Sequence, residues 1–178
     1  GLVFAEALPD LEAVLDPLNG RNAAVVQAPP GTGKTTLVPP LLANLLINKA
    51  PAEPQSRIIV TQPRRVAARS AARRLAVLDG SRLGGRVGYT VRGESHTGPE
   101  TVIEFVTPGI LLRRLLADPG LDGTAAVVLD EVHERGLETD LLLGMLTEVR
   151  QLRDDLTLVA MSATLDAPRF AALIGGAN

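Results

Sequence analysis

Val25-Val26-Gln27-Ala28-Pro29-Pro30-Gly31-Thr32-Gly33-Lys34-Thr35-Thr36 carries an apolar, strand-like run into a glycine-rich turn that closes on Gly-Lys-Thr. Strand, Gly-rich turn and helix in that order make a P-loop, which predicts a nucleoside triphosphate binder. The glycines let the backbone wrap a phosphate so that several N–H groups point inward. The helix that follows aims its positive N-terminal end at the same phosphate. Lys34 is placed to reach the β- and γ-phosphates, and the Thr35 hydroxyl to hold Mg²⁺. Ala28 stands where the pattern has its first Gly, a position that accepts Ala when its φ is negative.

Outward from this stretch, apolar runs alternate with Leu/Ala-rich helical segments. Strands are expected at Asn22 to Ala28, Arg57 to Thr61, Arg86 to Arg92, Thr101 to Val106, Thr124 to Leu129 and Leu156 to Met161. Helices are expected at Leu8 to Leu18, Lys34 to Asn48 (interrupted at Pro39-Pro40), Arg64 to Leu78, Pro108 to Ala117, Glu138 to Arg153 and Ala167 to Leu173. Ala50 to Gln55 reads as a loop, and a Gly-rich turn region separates Arg92 from Thr101. Such alternation predicts an α/β fold with a mainly parallel sheet sandwiched between helices, its ligands at the carboxyl ends of the strands. The 178 residues suit one domain, and aromatics at 2% against 46% apolar residues make its core aliphatic. No cysteine is present, so disulfide and thiolate chemistry are excluded, and a cytoplasmic setting is expected. No apolar run reaches the length of a membrane span. The early acids Glu6, Asp10 and Glu12, without a basic cluster, do not form a signal peptide.

The net charge of −2 is unevenly spread. Eight Arg and one acid, Asp79, lie between Thr61 and Arg92, whereas acids outnumber bases from Asp118 to Asp166. Arg65, Arg69 and Arg73 recur at helical spacing and form a cationic stripe. After the strand end Thr61-Gln62-Pro63, Arg64 and Arg65 are expected to touch a nucleic-acid backbone. Arg69 and Arg73 stay open between that role and a solvated face. No aromatics interleave with the cluster, so stacking on bases and sequence specificity are not expected. A second constellation, Val127-Val128-Leu129-Asp130-Glu131-Val132-His133-Glu134-Arg135, places two carboxylates where a buried strand emerges. Asp130 there suits Mg²⁺ and Glu131 the attacking water. Zinc-protease spacing is absent, because Leu137 stands where a second His is required. His96 reads as a solvent-exposed loop residue.

Five motifs now stand in order: the P-loop, Thr61-Gln62-Pro63-Arg64-Arg65-Val66-Ala67-Ala68, Thr107-Pro108-Gly109-Ile110-Leu111-Leu112-Arg113, Asp130-Glu131-Val132-His133-Glu134-Arg135 and Ser162-Ala163-Thr164. Together they resemble DEAH-box helicases, and Val87-Gly88-Tyr89-Thr90-Val91-Arg92-Gly93-Glu94-Ser95 looks most like the bacterial HrpB branch. Val132 departs from the Ala of the family name. The resemblance implies a RecA-like P-loop NTPase domain that uses ATP and Mg²⁺ to move along single-stranded nucleic acid, RNA or DNA. It implies that Pro30, Gly31, Thr32, Gly33, Lys34, Thr35 and Thr36 hold the nucleotide, with Thr35 and Asp130 on the metal. Glu131, Asp130, Lys34 and His133 would be catalytic, His133 linking the nucleotide site to the nucleic-acid side. Arg64, Arg65, Thr107 and Gly109 would contact the backbone, Arg74 would stack on the nucleotide base, and Ser162 and Thr164 would couple hydrolysis to domain movement.

It further implies that residues 1–178 are the first of two RecA-like domains, the second supplying arginine fingers that this stretch lacks. Two other classes compete with that reading. A different P-loop NTPase leaves Thr61 to Ala68 and Ser162 to Thr164 without a role. A non-catalytic binding module leaves the intact Lys34, Thr35, Asp130 and Glu131 unexplained.

Overall fold

The computed structural model describes residues 23–27, 57–130, 137–153 and 155–162, with backbone alone at 23–27, 137–139 and 161–162. In chain order the elements are β1 (Ala23–Gln27), β2 (Arg57–Thr61), α1 (Arg65–Asp79), β3 (Val87–Val91), β4 (Glu94–His96), β5 (Ile103–Val106), α2 (Pro108–Ala117), β6 (Thr124–Leu129), α3 (Leu137–Leu152) and β7 (Thr157–Ser162). The strands form a seven-stranded sheet in the order β1-β7-β6-β2-β5-β3-β4. Neighbours run parallel throughout except β3 and β4, which are antiparallel.

Side-chain alternation explains why both faces are covered. In β2, Ile58 and Val60 join the apolar cluster under α1, while Ile59 joins the cluster under α2 and α3. β6 divides the same way, with Ala126 and Val128 on the first face and Val127 and Leu129 on the second. α1 meets the sheet through Ala68, Ala72, Leu75 and Ala76, a mostly small-residue face that admits close approach. It ends at Gly80, whose left-handed φ of 70° lets the N–H groups of Gly80 and Ser81 bond back to Val77 and Ala76. α2 starts at Pro108, where the missing N–H costs nothing, and buries Leu111 and Leu115 one turn apart. The expected helices at Leu8 to Leu18, Lys34 to Asn48 and Ala167 to Leu173, and the loop at Ala50 to Gln55, lie outside the described residues.

One expectation needs correction. The region between Arg92 and Thr101 is not only turn: Glu94-Ser95-His96 forms β4, so His96 is an edge-strand residue, exposed as expected. Gly93 at φ 82° makes the hairpin turn, and the buried Tyr89 hydroxyl donates to Glu94 across the pair. Gly88 belongs to the same device. A Cβ there would lie 2.2 Å from the His96 carbonyl oxygen, a backbone atom that cannot swing aside. Gly88→Ala is expected to cost about 1–3 kcal/mol by overpacking. Gly144→Ala on α3, where nothing lies within 4 Å, should instead stabilise, by about 0.5–1 kcal/mol. Urea midpoints of the two variants check the contrast; equal shifts would remove the steric explanation of Gly88.

Candidate functional site

Parallel strands deliver their carboxyl ends to one edge of the sheet, and four expected motifs have residues there. β2 runs into Gln62, β5 into Thr107, β6 into Asp130, and β7 ends at Ser162. Ser162 pairs in register with Gln27, the residue that leads into the P-loop. β7 is the only strand between β1 and β6, so at ~4.8 Å per strand the P-loop strand and Asp130 are about 10 Å apart. Pro30, Gly31, Thr32, Gly33, Lys34, Thr35, Thr36, Glu131, His133 and Thr164 lie outside the described residues.

Asp130 is buried, 6% exposed, beside Gln62 at 4%. Gln62 Nε2 donates to Asp130 Oδ2 at 2.7 Å. A carboxylate only accepts, so the amide nitrogen has to be the atom that faces it. The backbone brackets the pair: Asp130 N–H donates to the Thr61 carbonyl at 3.3 Å and Gln62 N–H to the Val106 carbonyl at 2.8 Å. A hard oxygen donor at this edge fits Mg²⁺, which is commonly held by one or two carboxylates together with substrate phosphates.

The nucleic-acid candidates lie along the same edge. Arg64 is the N-cap of α1 and Arg65 its first residue, both exposed. Thr107 is the N-cap of α2, with Gly109 in its first turn, both half-buried. Neither helix start has a side-chain cap hydrogen bond or an acid in its first turn. Bare N–H groups and a positive dipole end favour an anion. Arginines at such a start oppose the dipole, and an anion between them reverses the sign of that interaction. The two helices leave adjacent strands, with Thr61 and Val106 in register. Two adjacent uncapped helix starts are places where anions can be held.

Arg74 is also exposed but stands apart, about 14 Å along α1 from Arg65 at ~1.5 Å per residue. Arg69 is half-buried and reaches Glu94 of β4 at 3.6 Å, so it is tied to the sheet edge, while Arg73 remains exposed.

A buried ion cluster escaped the sequence reading. Glu104, in the middle of β5, is fully buried and accepts both Nη atoms of Arg114, at 2.7 and 2.6 Å. Arg57 Nη1 adds a third hydrogen bond at 3.0 Å and Thr90 Oγ1 a fourth at 2.6 Å. Burial pushes the Glu104 pKa up, but the hydrogen bonds from Arg114, Thr90 and Arg57, with the Arg114 charge, outweigh it and hold the group below the ordinary glutamate value. The only available signal was a carboxylate inside the apolar run Ile103-Glu104-Phe105-Val106. A cleft of about 410 Å³ lies beside this cluster at the amino edge of the sheet, lined by Arg57, Arg114 and Asp118 among others, away from the candidate site.

Comparison with known proteins follows the same lines. The sequence profile of the DEAD/DEAH box helicases matches residues 9–172. The chain belongs to the DEAD/DEAH box helicase family. It is 45% identical over 171 residues to the ATP-dependent RNA helicase HrpB of Escherichia coli (strain K12), a match that covers 95% of this chain and 20% of that protein. It is 42% identical over 177 residues to the DExH-box ATP-dependent RNA helicase DExH3 of Arabidopsis thaliana, covering 98% of this chain and 15% of the relative. This helicase-family chain therefore spans a fifth or less of the length of those relatives. No helix among its described residues is long and apolar enough to cross a membrane.

Proposed function

We propose that residues 1–178 are the first RecA-like motor domain of an ATP-dependent, superfamily 2 DEAH-box helicase. The supporting observation is the sharing of one sheet edge by Asp130 and by two uncapped helix starts, of which one carries Arg64 and Arg65. In this reading the P-loop residues Pro30 to Thr36 hold ATP, Thr35 and Asp130 hold Mg²⁺, and Glu131 orients the attacking water. When bound, Mg²⁺ neutralises charge on the transferred phosphoryl group. Arg64, Arg65, Thr107 and Gly109 grip phosphates of a single strand, while His133, Ser162 and Thr164 relay the state of the nucleotide. Arg74 stacks on the base of the nucleotide, a contact that reads a π-face and tolerates any base.

Both relatives are named as RNA helicases, which favours RNA as the strand. A second RecA-like domain of the same protein closes the site and supplies arginine fingers, worth about 10³–10⁵ in rate. This chain by itself is thus a slow hydrolase. The cytoplasm is its proposed location.

Calorimetry of ATP and ADP binding with Mg²⁺, on this chain and on its Lys34→Ala variant, tests the reading. Binding is expected in the parent and is expected to vanish in the variant. Equal affinity in both would show that the P-loop is not the nucleotide site.

A further inference from the structure

We propose that Gln62 is a positioning residue that joins the nucleic-acid grip to the metal-binding carboxylate. The inference rests on the motor-domain reading and adds a residue to it. Gln62 and Asp130 come from positions 68 residues apart, yet their side chains meet at 2.7 Å with almost no solvent access. A carboxylate turns about a soft, roughly two-fold torsion. The Gln62 amide fixes that turn, and so sets where Asp130 presents its oxygens. Groups that hydrogen-bond a metal-ligating carboxylate set ligand orientation and metal affinity in this way.

The same residue is tied to both nucleic-acid elements. Its N–H bonds to Val106, the residue before Thr107, at 2.8 Å. On its other side, Pro63 is the only residue between it and Arg64, and the proline ring locks φ there. Little slack separates the amide from either helix start. A phosphate that draws Arg64, Arg65 or Thr107 into place displaces the Gln62 amide, and with it the Asp130 carboxylate. Binding linkage is reciprocal, so a strand that tightens metal-bound nucleotide in this way is itself tightened by the nucleotide, by the same factor.

The test uses the full-length helicase with Gln62→Met, which keeps length and removes the donor. Binding of a non-hydrolysable ATP analogue is titrated against Mg²⁺, with and without a single-stranded RNA oligonucleotide. RNA affinity is measured with and without the analogue, and kcat and the RNA KM of ATP hydrolysis are measured alongside. In the parent protein, RNA and nucleotide each tighten the other. In Gln62→Met the Mg²⁺ needed for half-saturation is expected to rise about 10–100-fold. Mutual tightening is expected to disappear and kcat to fall, while RNA affinity without nucleotide is unchanged. Should that variant not fold, Gln62→Asn, whose amide is one methylene too short, has to show the same split. Unchanged Mg²⁺ dependence and intact tightening in a folded variant would overturn the inference, as would a parent protein that binds nucleotide through Lys34 without any coupling to RNA. Failure of the parent to bind nucleotide through Lys34 would instead overturn the motor-domain reading beneath it.

Discussion

Glu131→Gln is expected to lower RNA-stimulated ATP turnover of the full-length helicase about 10²–10⁴-fold, the usual effect of removing a positioned general base. β6 is buried along nearly its whole length and runs into Asp130, which the neighbouring strand end grips through Thr61 and Gln62. In the proposed reading Asp130, held in place by Gln62, takes the metal and Glu131 the water. The kinetic signature follows. Losing a group that acts on the water lowers kcat and leaves nucleotide affinity unchanged, because its contact matters only in the transition state. Asp130→Asn keeps an acceptor for Gln62 but loses the charge that attracts Mg²⁺, so it should weaken Mg²⁺–nucleotide binding itself. Phosphate-release kinetics with binding calorimetry on both variants separates the roles. A Glu131→Gln enzyme within tenfold of the parent would assign the water to another group. A parent that hydrolyses no faster than the variant would favour a non-catalytic binding module.

The residues that made the fold legible are those whose neighbours in sequence decide their structure. β2 and β6 have the expected bounds, because each is an apolar, partly β-branched run closed by a polar residue. α2 also begins and ends where expected, since Pro108 can start a helix but not continue one. β4 was not legible. Glu94-Ser95-His96 has no apolar alternation, and it is a strand only because β3 lies beside it and Gly93 folds it back. The site divides along the same line. Thr61 to Arg65, Thr107 to Gly109 and Asp130 could be named from motifs, and parallel strands then had to bring them to one edge. The Gln62–Asp130 contact spans 68 residues and the Arg57–Glu104 contact 47. Partners at such separations leave no local pattern.

Glu104→Gln is expected to cost about 3 kcal/mol of folding stability near neutral pH. That is the low end for breaking a buried ion pair. The low end applies because Arg57 and Arg114 keep 27% and 33% of their side chains in water, which screens the charge left behind. At about 2–4 °C per kcal/mol for a chain of this size, the melting temperature drops by about 6–12 °C. Glu104 is fully buried and takes four hydrogen bonds from β2, β3 and α2. Gln cannot replace it: its NH₂ would face guanidinium donors, and two positive groups would lose their counter-charge. The sign of the pH dependence follows from the lowered pKa. Glu104 contributes its full stability above the ordinary value of 4.5, and the contribution is lost as pH falls through the depressed value in the folded protein. The difference between parent and variant should therefore be level near neutrality and shrink in acid. Urea unfolding of both proteins across that range measures it. A gap that persists unchanged into acid would mean that packing, rather than the carboxylate charge, clamps α2 to the sheet.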